Sequence, residues 1–262
     1  ARAMISFTSA EFNALLAAYL YPLARILALL ASAPPFSNAA LPRRIRLAVG
    51  LAVALALAPA LPKAPAIDPA SGLGLLVLAQ QMLIGYAMGT VMRLASSAVD
   101  FMGTTISTQM GLGFATAYDP QNTSQTPVVS EFLGILALLV FLVSNGHLML
   151  IATLMKSFAL LPVGHWPVTP STWLNVARAG GIVFSSGLLL ALPIVVALLI
   201  TNVALGVLGR VAPQLNLIAI GFPVTILLGF SGLLFGLSLL ATPLLQLYEY
   251  SLQSMLGIFV LR

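Results

Sequence analysis

The chemistry open to this chain is limited by how few reactive side chains it has. Six carboxylates (Glu11, Asp68, Asp100, Asp119, Glu131 and Glu249), two histidines (His147 and His165) and no cysteine are spread over 262 residues. The carboxylates are too dispersed to read as a general acid–base pair. Neither histidine stands in a metal-ligand spacing such as H-E-x-x-H. The lack of Cys removes disulfides, thiolate zinc sites and iron–sulfur clusters. A phosphate-binding loop, a dinucleotide fingerprint and a G-x-S-x-G nucleophile elbow are missing too, and Gly111-Leu112-Gly113 alone is a weak signal for a nucleotide. The expectation is a chain with no catalytic set, no metal and no cofactor, hence not an enzyme.

The same scarcity bears on transport. Ion-coupled carriers keep titratable groups inside their spans, because coupling needs a group that changes charge there. The apolar interiors here hold only Arg25 and His147. Arg25 is expected to be paired, to snorkel or to be shielded by another subunit. His147 lies in Ser144-Asn145-Gly146-His147, a polar break expected to kink a helix or to hydrogen-bond between helices. On this reading the chain does not energise transport by itself.

Composition places these residues in a membrane setting. Eleven Lys and Arg against six Asp and Glu give a net charge of +5, and charged residues make up 6% of the chain. An ordinary soluble domain carries about 25%. Hydrophobic residues reach 60% and the mean hydropathy is +1.07. So few charges cannot clothe a soluble globule of this size, which leaves a membrane or membrane-complex protein. The cations are scattered, so nucleic acid is not an expected partner.

Six apolar stretches can be marked, at 12–33, 45–61, 72–92, 132–155, 182–208 and 215–247. About 20 helical residues cross a bilayer core, so 45–61 is at the short limit. The last two are longer than needed and are expected to break at Pro193, Pro223 and Pro243. None alternates with period two, which favours helices over barrel strands. The expected fold class is all-α: hydrophobic helical hairpins of a membrane-protein complex, about six long helices, forming a single domain over 1–262. Asp68-Pro69, Thr126-Pro127 and Thr169-Pro170 each read as an N-cap followed by Pro at the first helical position. Thr8 and Glu11 fit a capping box. Pro34-Pro35, Pro59 with Pro62, and Pro162 with Gly164 read as helix ends. Pro22 and Arg25 interrupt the first run, which is long for a signal-peptide core, so cleavage after Ala33 is not expected.

The third stretch does not stop at Met92. A stripe of Leu94, Ala98, Phe101, Met102, Ile106 and Met110 continues it, opposite Arg93, Ser96, Ser97, Asp100, Thr104, Ser107 and Thr108. Read as one helix or two in sequence, 72–110 is roughly 58 Å long and exceeds a bilayer core. Small residues recur at close-packing intervals at Gly85 and Gly89, and at Gly229, Gly232 and Gly236, where helix backbones can approach. Orientation is nearly balanced. Arg43, Arg44, Arg46, Arg93 and Arg210 fall on one side of an alternating chain, and Arg2, Lys63, Lys156, Arg178 and Arg262 on the other. The cluster at 43–46 favours a cytoplasmic first loop, while the even split argues against a simple six-span arrangement.

The segment 103–126 is polar yet nearly uncharged, with Asp119 its only ionised group. Neutral hydroxyls and amides suit a surface past which polypeptide slides, since fixed charges would trap segments of opposite sign. Gly111 and Gly113 permit an irregular backbone, and Phe114 and Tyr118 have the bulk to occlude a pore. An ordinary surface connector fits the same pattern.

Gly111-Leu-Gly-Phe-Ala115, Tyr118-Asp-Pro-Gln121 and Ser124-Gln-Thr-Pro127 resemble the signature loop of the FliR/SctT family of type III secretion export-gate proteins. Asn145-Gly146-His147, Gly209-Arg-Val-Ala-Pro-Gln-Leu-Asn216 and Gly221-Phe-Pro-Val224 are similar to that family as well, and the flagellar branch fits better than the injectisome branch. The resemblance runs from Met4 to about Leu261. It implies a pore-forming subunit of the flagellar export gate, passing unfolded flagellar subunits out of the cytoplasm. It implies a location in the bacterial inner membrane and flagellar basal body. The implied partners are FliP and FliQ in a hetero-oligomer, FlhB and FlhA, the unfolded export substrates and membrane lipid. Energy would come from the proton motive force, the ATPase and FlhA. The implied plug covers about 109–125, with Gln109, Met110, Gly111, Gly113, Phe114, Tyr118, Asp119, Gln121 and Gln125 forming or supporting the closure. The competing expectation is a small-molecule or lipid carrier, which would require a buried titratable pair.

Overall fold

The computed structural model describes residues 9–38, 40–62, 65, 67–113, 127–165, 169–214 and 216–259. Among them the regular structure is entirely helical, as composition requires of apolar segments without strand alternation. The helices are α1 (Ser9–Ser32), α2 (Arg43–Leu57) followed by a short 3₁₀ turn (Ala58–Ala60), α3 (Gly72–Gln109), α4 (Val128–Val143), α5 (Gly146–Leu160), α6 (Pro170–Ala179), α7 (Gly181–Val211) and α8 (Leu217–Gly257).

Four helical stretches are long and apolar enough to cross a membrane, and a fifth counts if α4 and α5 are taken as one broken span. The count corrects the six expected stretches. The α-helix that covers most of 45–61, α2, is only fifteen residues long, about 22 Å, short of a bilayer core. The stretch 132–155 divides at Asn145, which takes a left-handed φ of 57°. Asparagine tolerates that conformation better than most residues. Gly146 follows because a side chain there would run into the ring of Phe141 and lie 2.8 Å from its carbonyl oxygen.

The internal prolines do not end the helices that contain them. Pro193 lies inside α7, and Pro223 and Pro243 inside α8. Each removes one backbone hydrogen bond, which the remaining bonds of helices 31 and 41 residues long outweigh. α3 runs unbroken for 38 residues, about 57 Å, because no proline occurs between Pro69 and Pro120.

Two of the expected caps also shift. Asp68 forms a turn rather than the cap of α3: its Oδ1 accepts the Ala70 N–H at 2.9 Å. Ser71 is the cap, its Oγ accepting the Gly74 N–H at 3.0 Å. Pro127 is itself the N-cap of α4, and Thr126 lies outside the described residues, as does Thr8. At Thr169-Pro170 the proline takes the first helical position as expected, while the Thr169 hydroxyl meets the hydroxyls of Ser171 and Thr172. Pro170 opens α6, and the Thr169 N–H donates to Thr172 Oγ1 at 3.2 Å.

The chain divides into two compact units. The first comprises Ala1–Arg93, His147–Ala179 and Tyr250–Arg262. At its centre Arg25 is fully buried. Its Nε donates to Gln81 Oε1 on α3 at 2.8 Å, one terminal nitrogen to Ser157 Oγ on α5 at 3.1 Å, and the other to the Leu161 carbonyl at 2.8 Å. The guanidinium carbon sits 4.1 Å from the centre of the Phe158 ring. Leu161 follows the last residue of α5, so the cation meets the negative end of that helix dipole. Gly85 and Gly89 bring α3 against α1: side chains there would collide with the Arg25 carbonyl oxygen and with Ser32.

The second unit comprises Leu94–Gly146 and Gly180–Glu249. In it the later part of α3 meets α4 where Ser130 Oγ donates to the Asp100 carbonyl at 3.0 Å, beside Gly103. Phe101 and Phe184 pack edge to face at 5.3 Å between α3 and α7, and Phe141 and Tyr248 lie tilted to one another at 5.0 Å between α4 and α8. Both separations lie in the favourable range for aromatic pairs.

Gln81→Leu removes one of the three acceptors of the buried guanidinium. It is expected to destabilise the protein by about 1.5–3 kcal/mol. Thr90→Ala, which removes only a bond to its own helix, should shift stability by about 0.5 kcal/mol or less. Thermal unfolding of the detergent-solubilised protein measures both.

Candidate functional site

The site is the point where the nearly uncharged segment leaves α3. The end of that helix is closed by two backbone bonds. Gly111 N–H donates to the Thr108 carbonyl at 3.0 Å, and Leu112 N–H to the Ser107 carbonyl at 3.1 Å. This is the Schellman arrangement, and it requires a left-handed residue just past the helix. Gly111 supplies it, at φ +82°.

One face of α8 receives this turn. Thr225 Oγ1 donates to the Met110 carbonyl at 3.0 Å and is itself buried. The ring of Phe222 covers Gly111, so that a Cβ there would lie 2.8 Å from Cε1. Met110 is fully buried, its side chain against Gly229, where a Cβ would lie 2.5 Å from Cγ. Phe222, Thr225 and Gly229 are spaced by three and four residues, which puts them on one side of a helix. The three act as cover, hydrogen-bond donor and recess for a single turn of chain.

Of the residues expected to form or support the closure, Gln109 is the last residue of α3, and Met110, Gly111 and Gly113 follow it. A Cβ at Gly113 would meet nothing within 4 Å. Phe114, Tyr118, Asp119, Gln121 and Gln125 lie outside the described residues. The polar stretch expected from 103 onward is helical as far as Gln109. Gly229 faces Met110, while Gly232 and Gly236 face Ile194 on α7, where an added Cβ would lie 3.5 and 3.7 Å from it. Asn145, Gly146 and His147 form the break between α4 and α5, and His147 Nδ1 is buried with no hydrogen-bond partner among the described residues.

The sequence does not mark Phe222 and Thr225 as site residues. Their signal lies in the helical spacing with Gly229, but Pro223 beside them reads as a breaker and hides the periodicity. Electrostatically the site is neutral: it is built from a carbonyl, a hydroxyl, a thioether, an aromatic ring and glycine backbone. Among the described residues no group of three His, Cys, Asp or Glu is placed to hold a metal ion. The arrangement can fix where a chain segment begins.

Long apolar helices, polar groups held by neutral partners, and a capped turn at the end of an over-long helix define an all-helical membrane protein. The family described as bacterial export proteins, family 1, matches residues 16–251. The flagellar biosynthetic protein FliR of Pectobacterium carotovorum subsp. carotovorum is 43% identical over 227 residues, covering 86% of each chain. That of Escherichia coli K12 is 41% identical, covering 87% of each, and that of Bacillus subtilis 168 is 26% identical, covering 93% of this chain and 95% of the relative. The chain belongs to the FliR family of bacterial export proteins. It is accordingly a component of a flagellar export apparatus.

Gly111→Ala places a side chain in the left-handed region and against Phe222. It is expected to cost about 1–3 kcal/mol, while Gly113→Ala should be near neutral. Comparing the thermal midpoints of the two purified variants tests the assignment of Gly111 as the helix-ending residue.

Proposed function

We propose that this chain is a pore-forming subunit of the flagellar type III protein export gate in the bacterial inner membrane and basal body. It passes unfolded flagellar subunits out of the cytoplasm as a conduit, without catalysis. Its 109–125 segment helps to close the channel at rest. The observation that carries this reading is the anchored end of α3. A helix longer than a bilayer needs is stopped at Gly111 and pinned through the Met110 carbonyl, shortly before a segment, 114–126, whose only charge is Asp119. A plug needs a fixed base and a neutral tip; the turn is such a base, and the composition of 114–126 suits such a tip.

The partners in this reading are FliP and FliQ in a hetero-oligomer, with FlhB and FlhA, the unfolded substrates and lipid. The exposed apolar side chains of α7 and α8 support it: Phe184, Leu189, Ile200, Val203, Leu234 and Phe235 are each about two-thirds exposed or more, and sister subunits or lipid must cover them.

Two measurements test the proposal. Deleting 114–122 keeps the capped turn. It is expected to make cells leak small ions while the subunit still assembles; an intact complex with wild-type leak refutes the plug. Purification with co-expressed FliP and FliQ is expected to yield a hetero-complex, and purification alone a low yield. A well-behaved lone species that takes up a solute would instead favour a carrier.

A further inference from the structure

Thr225 faces two carbonyls with one proton. Its buried Oγ1 lies 3.0 Å from the Met110 carbonyl oxygen at the end of α3 and 3.1 Å from the Phe222 carbonyl oxygen of its own helix. A hydroxyl carries a single O–H, so it makes a full bond to one acceptor at a time. The two acceptors differ. Phe222 stands inside α8, where a carbonyl can take a helical N–H on one lone pair and a hydroxyl on the other. Met110 stands past Gln109, the last residue of α3, so its carbonyl is outside the helical ladder and depends on a donor from elsewhere.

The same geometry sets what happens when the turn leaves α8. The Schellman bonds from Gly111 and Leu112 lie within the end of α3 and travel with it. The Thr225 bond joins two helices through residues 115 apart in sequence. When it breaks, the hydroxyl swings onto the Phe222 carbonyl, so no buried donor is left without an acceptor. On the α8 side, release therefore costs little. The other contacts that part are the seat of Met110 at Gly229 and the cover of Phe222 over Gly111. Both are apolar and non-directional.

We infer that Thr225 is the latch of the export channel, its hydroxyl bonded to Met110 in the closed state and to Phe222 in the open one. It is a positioning residue, acting through the base of the closing segment. The inference rests on the plug reading above and adds the group that holds and releases it.

Thr225→Val keeps the shape and removes the proton. In cells carrying the full flagellar apparatus it is expected to raise ion leak about fivefold with the complex assembled, the ratio that matches loss of one neutral hydrogen bond. Thr225→Ser keeps the hydroxyl and should restore sealing. Wild-type leak in an assembled T225V complex overturns the latch, and so does a T225S complex that leaks as much as T225V.

Should T225V fail to assemble, a lock decides. A Cβ at Gly229 would lie 2.5 Å from Met110 Cγ, hence within about 4 Å of Met110 Cβ, a separation suited to a disulfide. The chain has no cysteine, so M110C with G229C gives one defined bridge, and shortening Met110 frees the room that the new side chain needs. Oxidation of the pair should lower secretion of flagellar subunits at least tenfold, and reduction should restore it. A fully bridged, assembled complex that secretes as fast as its reduced form overturns the latch. Deleting 114–122 separates the two readings. Leak from the deletion without leak from T225V refutes the latch alone, whereas wild-type leak from the deletion refutes the plug itself.

Discussion

Everything in this chain answers to one constraint: its helices have more apolar surface than they can hide in one another. Of the most apolar windows in the stretches Pro170–Val211 and Ala219–Gly257, only 28% and 22% of residues are buried, against 56% in α3. An apolar face left open to water is unfavourable at about 25 cal/mol per Å². The long helices α7 and α8 therefore fold in a setting where something other than water lies against them. α3, the best covered of the long helices, is the one that carries the anchored turn.

The same setting governs the polar groups. In apolar surroundings a free hydroxyl or amide is costly, and the described residues show how that cost is avoided. The hydroxyls of Thr90, Thr105, Thr153 and Thr201 each bond the carbonyl four residues earlier in their own helix, at 2.7–2.9 Å. Arg25 is the extreme case, a cation held by an amide, a hydroxyl, a carbonyl and an aromatic face, with no carboxylate among its described partners. A carboxylate partner would itself have to be desolvated. The end of α5 supplies a partial negative charge without that penalty.

How far the sequence discloses this depends on whether the signal is local. The helix class follows from apolar runs without alternation, and the continuity of α3 from the absence of proline between Pro69 and Pro120. Pro170 at the start of α6 follows from its neighbour Thr169. The failures come where a local signal meets a non-local one. Pro193, Pro223 and Pro243 read as breaks, yet long helices absorb them. Asp68 reads as a cap, but Ser71, three residues on, has the geometry. Arg25 stands out as an anomaly, but its partners lie 56, 132 and 136 residues away, beyond the reach of any pattern along the chain. The candidate site divides in the same way. Gly111 is visible as a glycine able to take unusual backbone angles, while the α8 face that receives it is hidden by Pro223.

The turn that precedes the nearly uncharged segment beyond α3 is held without a charged side chain. In the export reading proposed above, an ion pair at the root of this nearly uncharged segment would set a further charge beside the passing chain. The alternatives are backbone bonds, shape and a hydroxyl. All three are present: the Schellman bonds to Ser107 and Thr108, the fit of Met110 into the gap at Gly229 and of Phe222 over Gly111, and Thr225 on the Met110 carbonyl. Each is individually weak, about 1 kcal/mol for the neutral hydrogen bond. Together they fix position without fixing charge, and the two glycines are the residues that cannot be exchanged. One admits the backbone angle and the other admits the methionine, so the anchor depends on side chains that are absent as much as on those that are present.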